Sequence, residues 1–205
     1  MTCYWAKFEE KNGNIFRFDT RIYLKPIKKP SPKNDICIGA IVGKNPGSAK
    51  PSSNNYNTLQ PIILDNDKLL PNVKNIVISA YNNNKKTLSE NQYIQVLNLF
   101  YLCDKSLANA KRRIKCIGSN ASICPSEKGS FPFIIYAWGG YNDGINRFKI
   151  RFIDKPLTEN PIWFDFISNE TRKVTPGKFD SVKHIQGLRH ENIIPYLAEI
   201  LRNMN

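Results

Sequence analysis

Residues 35–42 read Asp-Ile-Cys-Ile-Gly-Ala-Ile-Val, an apolar run that is nearly unbroken and short. A strand wet on one face alternates apolar and polar residues. A continuous run of this length instead fits a strand covered on both faces, as in the parallel sheets of α/β proteins. The run stops at Gly43-Lys44-Asn45-Pro46-Gly47-Ser48. A loop of turn residues directly after a central strand lies where such sheets hold their ligands.

The same pattern recurs downstream. Residues 71–83 predict a helix with Pro71 in its first turn and Val73, Ile76, Val77 and Ala80 on one face. Residues 93–97 predict a strand ending at Asn98-Leu99-Phe100, and 106–117 a strongly basic helix. Residues 131–138 read as another buried strand, ending in Gly139-Gly140. Helices are expected over 142–152 and 192–204, and strands over 163–167 and 181–185. Before all of these, aromatic alternation on either side of Asn12-Gly13 predicts a β-hairpin. It is followed by a Pro- and Lys-rich connection over 25–32. The expected architecture is one domain over 1–205, with a hairpin and linker over 1–34 and a core over 35–205. That core is a three-layer α/β/α arrangement around a central, mainly parallel sheet.

The charge narrows the partners. Thirty Lys and Arg against seventeen Asp and Glu give a net +13, an excess that attracts polyanions through counterion release. The 24 asparagines show a compositional bias of the same Lys/Asn kind, so no single Asn is a motif by itself. DNA is the expected partner. No stretch reaches the eighteen or so apolar residues of a membrane helix, and the N-terminus lacks a basic segment followed by an apolar run. A cytoplasmic location is therefore expected; a monomer is favoured, with the oligomeric state left open by the sequence. Five scattered cysteines with no Cys-x-x-Cys pair, and only two histidines, argue against a zinc site or a disulfide framework. No metal or other cofactor is expected.

Four segments fall at predicted strand or turn ends: Asn45-Pro46-Gly47, Asn98, Trp138-Gly139 and Gly187-Leu188-Arg189-His190. Taken singly they read as a turn, a strand-end cap, a core residue and a helix start. Taken in order, they resemble the uracil-DNA glycosylase superfamily. Gly43-Lys44-Asn45-Pro46-Gly47 matches the Gly-x-Asn-Pro-Gly motif of its mismatch-specific and thymine-DNA glycosylase branch. Val96-Leu97-Asn98 resembles the segment whose amide reads the flipped base, and residues 134–139 resemble a later strand ending in Trp-Gly. His190 stands in the place of the second catalytic motif, although Glu191-Asn192 replaces the usual Pro-Ser. The same landmarks also resemble an uncharacterised bacterial family with Asn-Pro-Ser-x-Ala, Asn-Leu-Phe, Ala-Trp-Gly and Arg-His-Pro segments. The 50–67 loop belongs to neither pattern.

The resemblance implies a monofunctional DNA glycosylase that removes a damaged or modified base, with defence against phages carrying modified bases as one context. Asn45 would position the attacking water and His190 would assist the departing base. Asn98 would read the base, with Phe100 or Tyr56 stacked on it. Lys44, Gly47, Ser48, Lys111, Arg112, Arg113 and Arg189 would contact phosphates. An Asn amide can orient a water but cannot take its proton. There are two alternatives: a nucleic-acid-binding protein of the same fold without catalysis, and an enzyme acting on free nucleotides or nucleosides.

Overall fold

A computed structural model describes residues 1–65, 67–118, 123–140 and 143–204. In chain order the strands are β1 (Thr2–Lys11), β2 (Asn14–Ile27), β3 (Ile36–Gly43), β4 (Lys50–Pro51), β5 (Leu59–Ile63), β6 (Gln92–Asn98), β7 (Ile134–Tyr136), β8 (Pro161–Asp165) and β9 (Glu170–Arg172). The helices are α1 (Leu69–Asn83), α2 (Leu107–Ile117), α3 (Asn146–Ile153) and α4 (Ile194–Asn203). None is long and apolar enough to cross a membrane.

The strands form a mixed sheet in the order β4-β5-β1-β2-β6-β3-β7-β8-β9. Among the described residues, five neighbouring pairs are antiparallel and three, β6-β3, β3-β7 and β7-β8, are parallel. The expectation of a mainly parallel sheet is corrected accordingly: only the middle of the sheet is parallel. The reason lies in the hairpin. Asn12 and Gly13 both take positive φ, the requirement of a tight two-residue hairpin turn. The outgoing strand β2 then pairs antiparallel with β6, bringing Thr20 opposite Val96 and Tyr23 opposite Tyr93. The hairpin thus continues the sheet of the core, and β5 extends it on the far side of β1.

β3 is covered on both faces, as its apolar run predicts. Ile38 and Ile41 join one buried cluster with Val73, Ile76 and Val77 of α1 and Leu197 and Leu201 of α4. Ala40 and Val42 join another with Ala110 and Ile114 of α2 and Phe152 of α3. The helix expected over 71–83 begins two residues earlier, at Leu69, and the basic helix α2 is capped by Ser106, whose side chain accepts the Asn109 N–H at 3.3 Å. Of the helix expected over 142–152, Asn142 lies outside the described residues. The rest is a short 3₁₀ turn followed by α3.

The strand expected over 181–185 does not form. β7 ends at Tyr136, whereas β8 runs on to Asp165. Val182 bridges Asp165 in the space that β7 leaves open, and its carbonyl accepts the Gly140 N–H. One bridge uses up that space, and the chain then closes into a 3₁₀ turn at Ile185–Gly187.

β3 packs closely at Gly39, where an added Cβ would stand 2.4 Å from the ring of the fully buried Phe133. Gly39→Ala is expected to cost about 1–3 kcal/mol of stability through overpacking, measured by urea unfolding. Adding Phe133→Leu to that variant should recover part of the loss.

Candidate functional site

A cleft of about 450 Å3 opens at the carboxyl ends of β3 and β6, within the range of roughly 300–1,000 Å3 usual for ligand sites. The parallel register brings Gly43 beside Asn98. It continues past the strands, with the Leu99 N–H donating to Gly43 O at 3.0 Å and the Phe100 N–H to Lys44 O at 3.3 Å. Asn45, Pro46, Gly47 and Ser48 line one wall, and Asn98 lies on the floor. Two asparagines far apart in the chain therefore face one space.

The two asparagines are held differently. Asn45 lines the cleft and donates from Nδ2 to Asp104 O at 3.4 Å. The Oδ1 of Asn98 would stand 3.0 Å from any Cβ on Gly43, so a larger residue there would crowd this amide. Asn98 Nδ2 is buried without a hydrogen-bond partner among the described residues. The backbone at Asn98 is clamped from beneath. Arg151 Nη2 donates to Asn98 O at 2.9 Å and Leu99 O at 2.7 Å, while its Nε bonds Glu127 at 2.6 Å. Glu127 in turn accepts from the Tyr101 hydroxyl at 2.5 Å.

The imidazole in the cleft belongs to His184, not to His190. His190 opens a separate 3₁₀ turn, His190–Asn192, and does not line the cleft. His184 reaches it because residues 182–184 fill the space beyond β7. Gly139 lets it settle there, since a Cβ on Gly139 would meet His184 Cβ at 2.9 Å. Burial, with the nearby Lys44 charge, lowers the His184 pKa, and Asp67 opposes them. Its Nδ1 accepts the Gln186 N–H at 3.3 Å, so the neutral ring carries its proton on Nε2.

Three further groups in the cleft come from segments outside the sequence motifs. Asp65 and Asp67 arrive from the 50–67 loop, and Arg17 from β2. Asp67 Oδ1 accepts the Leu69 N–H at 2.8 Å at the start of α1, and its Oδ2 lies 3.9 Å from Arg17 Nη1. A carboxylate here can take a proton from water, which Asn45 cannot. Hydrogen bonding and charge from Lys105, with the charge of Lys50, hold the Asp65 carboxyl below its ordinary pKa. Arg17 is 2% exposed, and burial lowers its pKa while Asp67 and Cys103 oppose the shift. A buried charged donor left unpaired costs about 1–3 kcal/mol or more. The signal for Arg17 in the sequence was a lone cation in an aromatic strand, Ile15-Phe16-Arg17-Phe18.

The other predicted contacts divide. Phe100 is buried against Phe148, and Tyr56 packs on the core cluster behind α1. Neither lines the cleft, so the expected stacking on a base has no support from either ring. Trp138 is fully buried. Lys44 is half-buried, and burial together with the charge of Lys111 lowers its pKa. Arg112 and Arg189 are exposed. Arg113 is tied to Asn14 at 2.6 Å and to Asp104 at 3.0 Å, so it braces α2 against the hairpin. Burial pushes the Cys103 thiol up to about 11, which keeps it protonated at neutral pH. Compared with protein-family models, curated proteins and solved structures, the chain matches none.

The His184 shift has a consequence for stability. Its folded pKa lies below the ordinary 6.5, so between those two values the unfolded chain binds more protons than the folded one. Stability then falls as pH drops through 6.5 toward the folded pKa. The fall in Tm between pH 7.5 and 5.5 should be larger in the wild type than in His184→Gln, measured by thermal melts in matched buffers.

Proposed function

We propose that the protein hydrolyses an N-glycosidic bond in DNA, releasing a damaged or modified base into this cleft. The proposed scaffold is a three-layer α/β/α core like that of the uracil-DNA glycosylases. The observation that carries the reading is the convergence of Asn45, Asp67, Asn98 and His184 on one cleft beside the parallel strands. In the proposed reaction Asn45 Oδ1 orients a water and Asp67 Oδ2 takes its proton. The hydroxyl oxygen bonds to C1′ of the sugar as the C1′–N bond breaks, and the bonding electrons pass into the base. His184 Nε2–H donates to the base as negative charge develops on it, and the Asn98 amide bonds its edge. The base must leave the helix to reach such a site. The net +13 and the lysines beside the cleft, Lys44 and Lys105, favour contact with the flanking phosphates.

The test is base release. Duplexes and single strands bearing different bases are incubated with the protein, and abasic sites are revealed by alkaline cleavage. Asn45→Ala and Asp67→Asn should each lower release by about a hundred- to ten-thousand-fold while DNA binding and folding persist. A wild-type rate in Asn45→Ala would remove it from the chemical step. Wild-type protein that binds DNA and releases no base from any substrate would leave binding without catalysis as the function.

DNA affinity should also fall steeply with salt. For duplex contacts, the slope of log affinity against log salt is about −0.9 for each phosphate neutralised. A salt-independent affinity, measured by fluorescence anisotropy from low to high salt, would overturn phosphate contact as the source of binding.

A further inference from the structure

Two buried side chains line the cleft and carry buried hydrogen-bond donors without a partner among the described residues. Arg17 and Asn98 are each 2% exposed, and both line the cleft. Arg17 Nε and Nη1 and Asn98 Nδ2 have no hydrogen-bond partner among the described residues. Asp67 neutralises part of the Arg17 charge, but at 3.9 Å it lies beyond the roughly 2.7–2.9 Å of a charge-assisted hydrogen bond. One of its oxygens is already engaged by the Leu69 N–H. Folded proteins rarely leave buried donors unpaired, and exceptions gather where a ligand completes the set. The charged side chains lining the cleft balance one another, and the cations just outside it, Lys44 and Lys50, tip the surroundings toward an electron-rich ligand group. Lys105 lines the same cleft, Lys44 stands near His184, and Asp65 is shared between Lys50 and Lys105.

The geometry points to an oxyanion site on the cleft floor, built by Arg17 and Asn98, that takes a ligand oxygen carrying full or developing negative charge. Two groups of a nucleotide have this chemistry. One is a carbonyl oxygen of a base that leaves with the electrons of its glycosidic bond. The other is an oxygen of a phosphate monoester. The inference deepens the proposed reaction by naming what the same cleft holds, yet it depends on the free donors and not on bond cleavage. It also assigns a function to β2, whose hairpin carries Arg17 into the site beside Asn98 of β6.

Isothermal titration with three probes tests it: inorganic phosphate, a nucleoside 5′-monophosphate, and a free pyrimidine bearing a ring carboxylate. Wild-type protein should bind at least one of them at a single site. Arg17→Gln and Asn98→Asp should each weaken that binding by about ten- to a hundredfold, and Arg17→Lys should fall between. Arg202→Ala, an exposed position on α4, should leave it unchanged. Thermal melts identify any variant that fails to fold, and the nearly isosteric Asn98→Asp carries the test if Arg17→Gln does not. Preference for the carboxypyrimidine assigns the floor to the base, and preference for the monophosphate assigns it to phosphate. Failure of the wild type to bind any probe, or equal binding by the wild type and folded variants, overturns the oxyanion site. Arg17-dependent binding in a protein that releases no base would retain the oxyanion site and reject the glycosidic reading.

Discussion

The cleft depends on how β3 and β6 end together. A parallel pair leaves carbonyls and N–H groups at its carboxyl edge without ladder partners, and buried groups of this kind must be satisfied. Here the chain after Asn98 supplies donors to Gly43 O and Lys44 O. Arg151, held by Glu127, supplies donors to Asn98 O and Leu99 O. Arginine suits this position because one planar group serves two carbonyls and a carboxylate together. With its backbone pinned on both sides, Asn98 presents its amide at a defined point, and Gly43 leaves room for it.

Around that fixed edge, the site is assembled from segments whose contributions follow from strand lengths. The antiparallel hairpin places β2 beside β6, so a residue near the chain start reaches the floor of the cleft. The short β7 leaves space beside β8, and residues 182–184 fill it, which brings His184 to the opening. The 50–67 segment forms β4 and β5 at the sheet edge and then returns to α1, carrying Asp65 and Asp67 past the wall made by Asn45 and Ser48. Ser48 Oγ donates to Asp65 O at 3.3 Å and ties these two segments together.

The electrostatics are local. The chain as a whole is strongly basic, yet the cleft balances Arg17 and Lys105 against Asp65 and Asp67. Burial works against the charge on both Arg17 and His184, but with different results. A guanidinium remains charged at neutral pH, while an imidazole already near neutrality loses its proton. The cleft therefore combines a permanent cation, a neutral N–H donor and carboxylates within one small volume.

The sequence by itself determined several of the local elements and one wall of the site. The unbroken run before Gly43 is a strand covered on both faces. Asn12-Gly13 turns a hairpin, the 3.6-residue periodicity of 71–83 is helical, and Asn45 and Asn98 each fall at the end of a strand. These features are set by contiguous residues, through side-chain spacing and turn chemistry. Tertiary structure decided which side chains join those asparagines. The choice of His184 over His190 follows from β7 ending two residues before Trp138, a difference in strand length that the apolar run over 131–138 does not show. Arg17 enters only because β2 pairs with β6, and Asp67 only because the 50–67 segment returns along the cleft wall. Strand order and strand length depend on long-range pairing, and no local pattern in the chain records them.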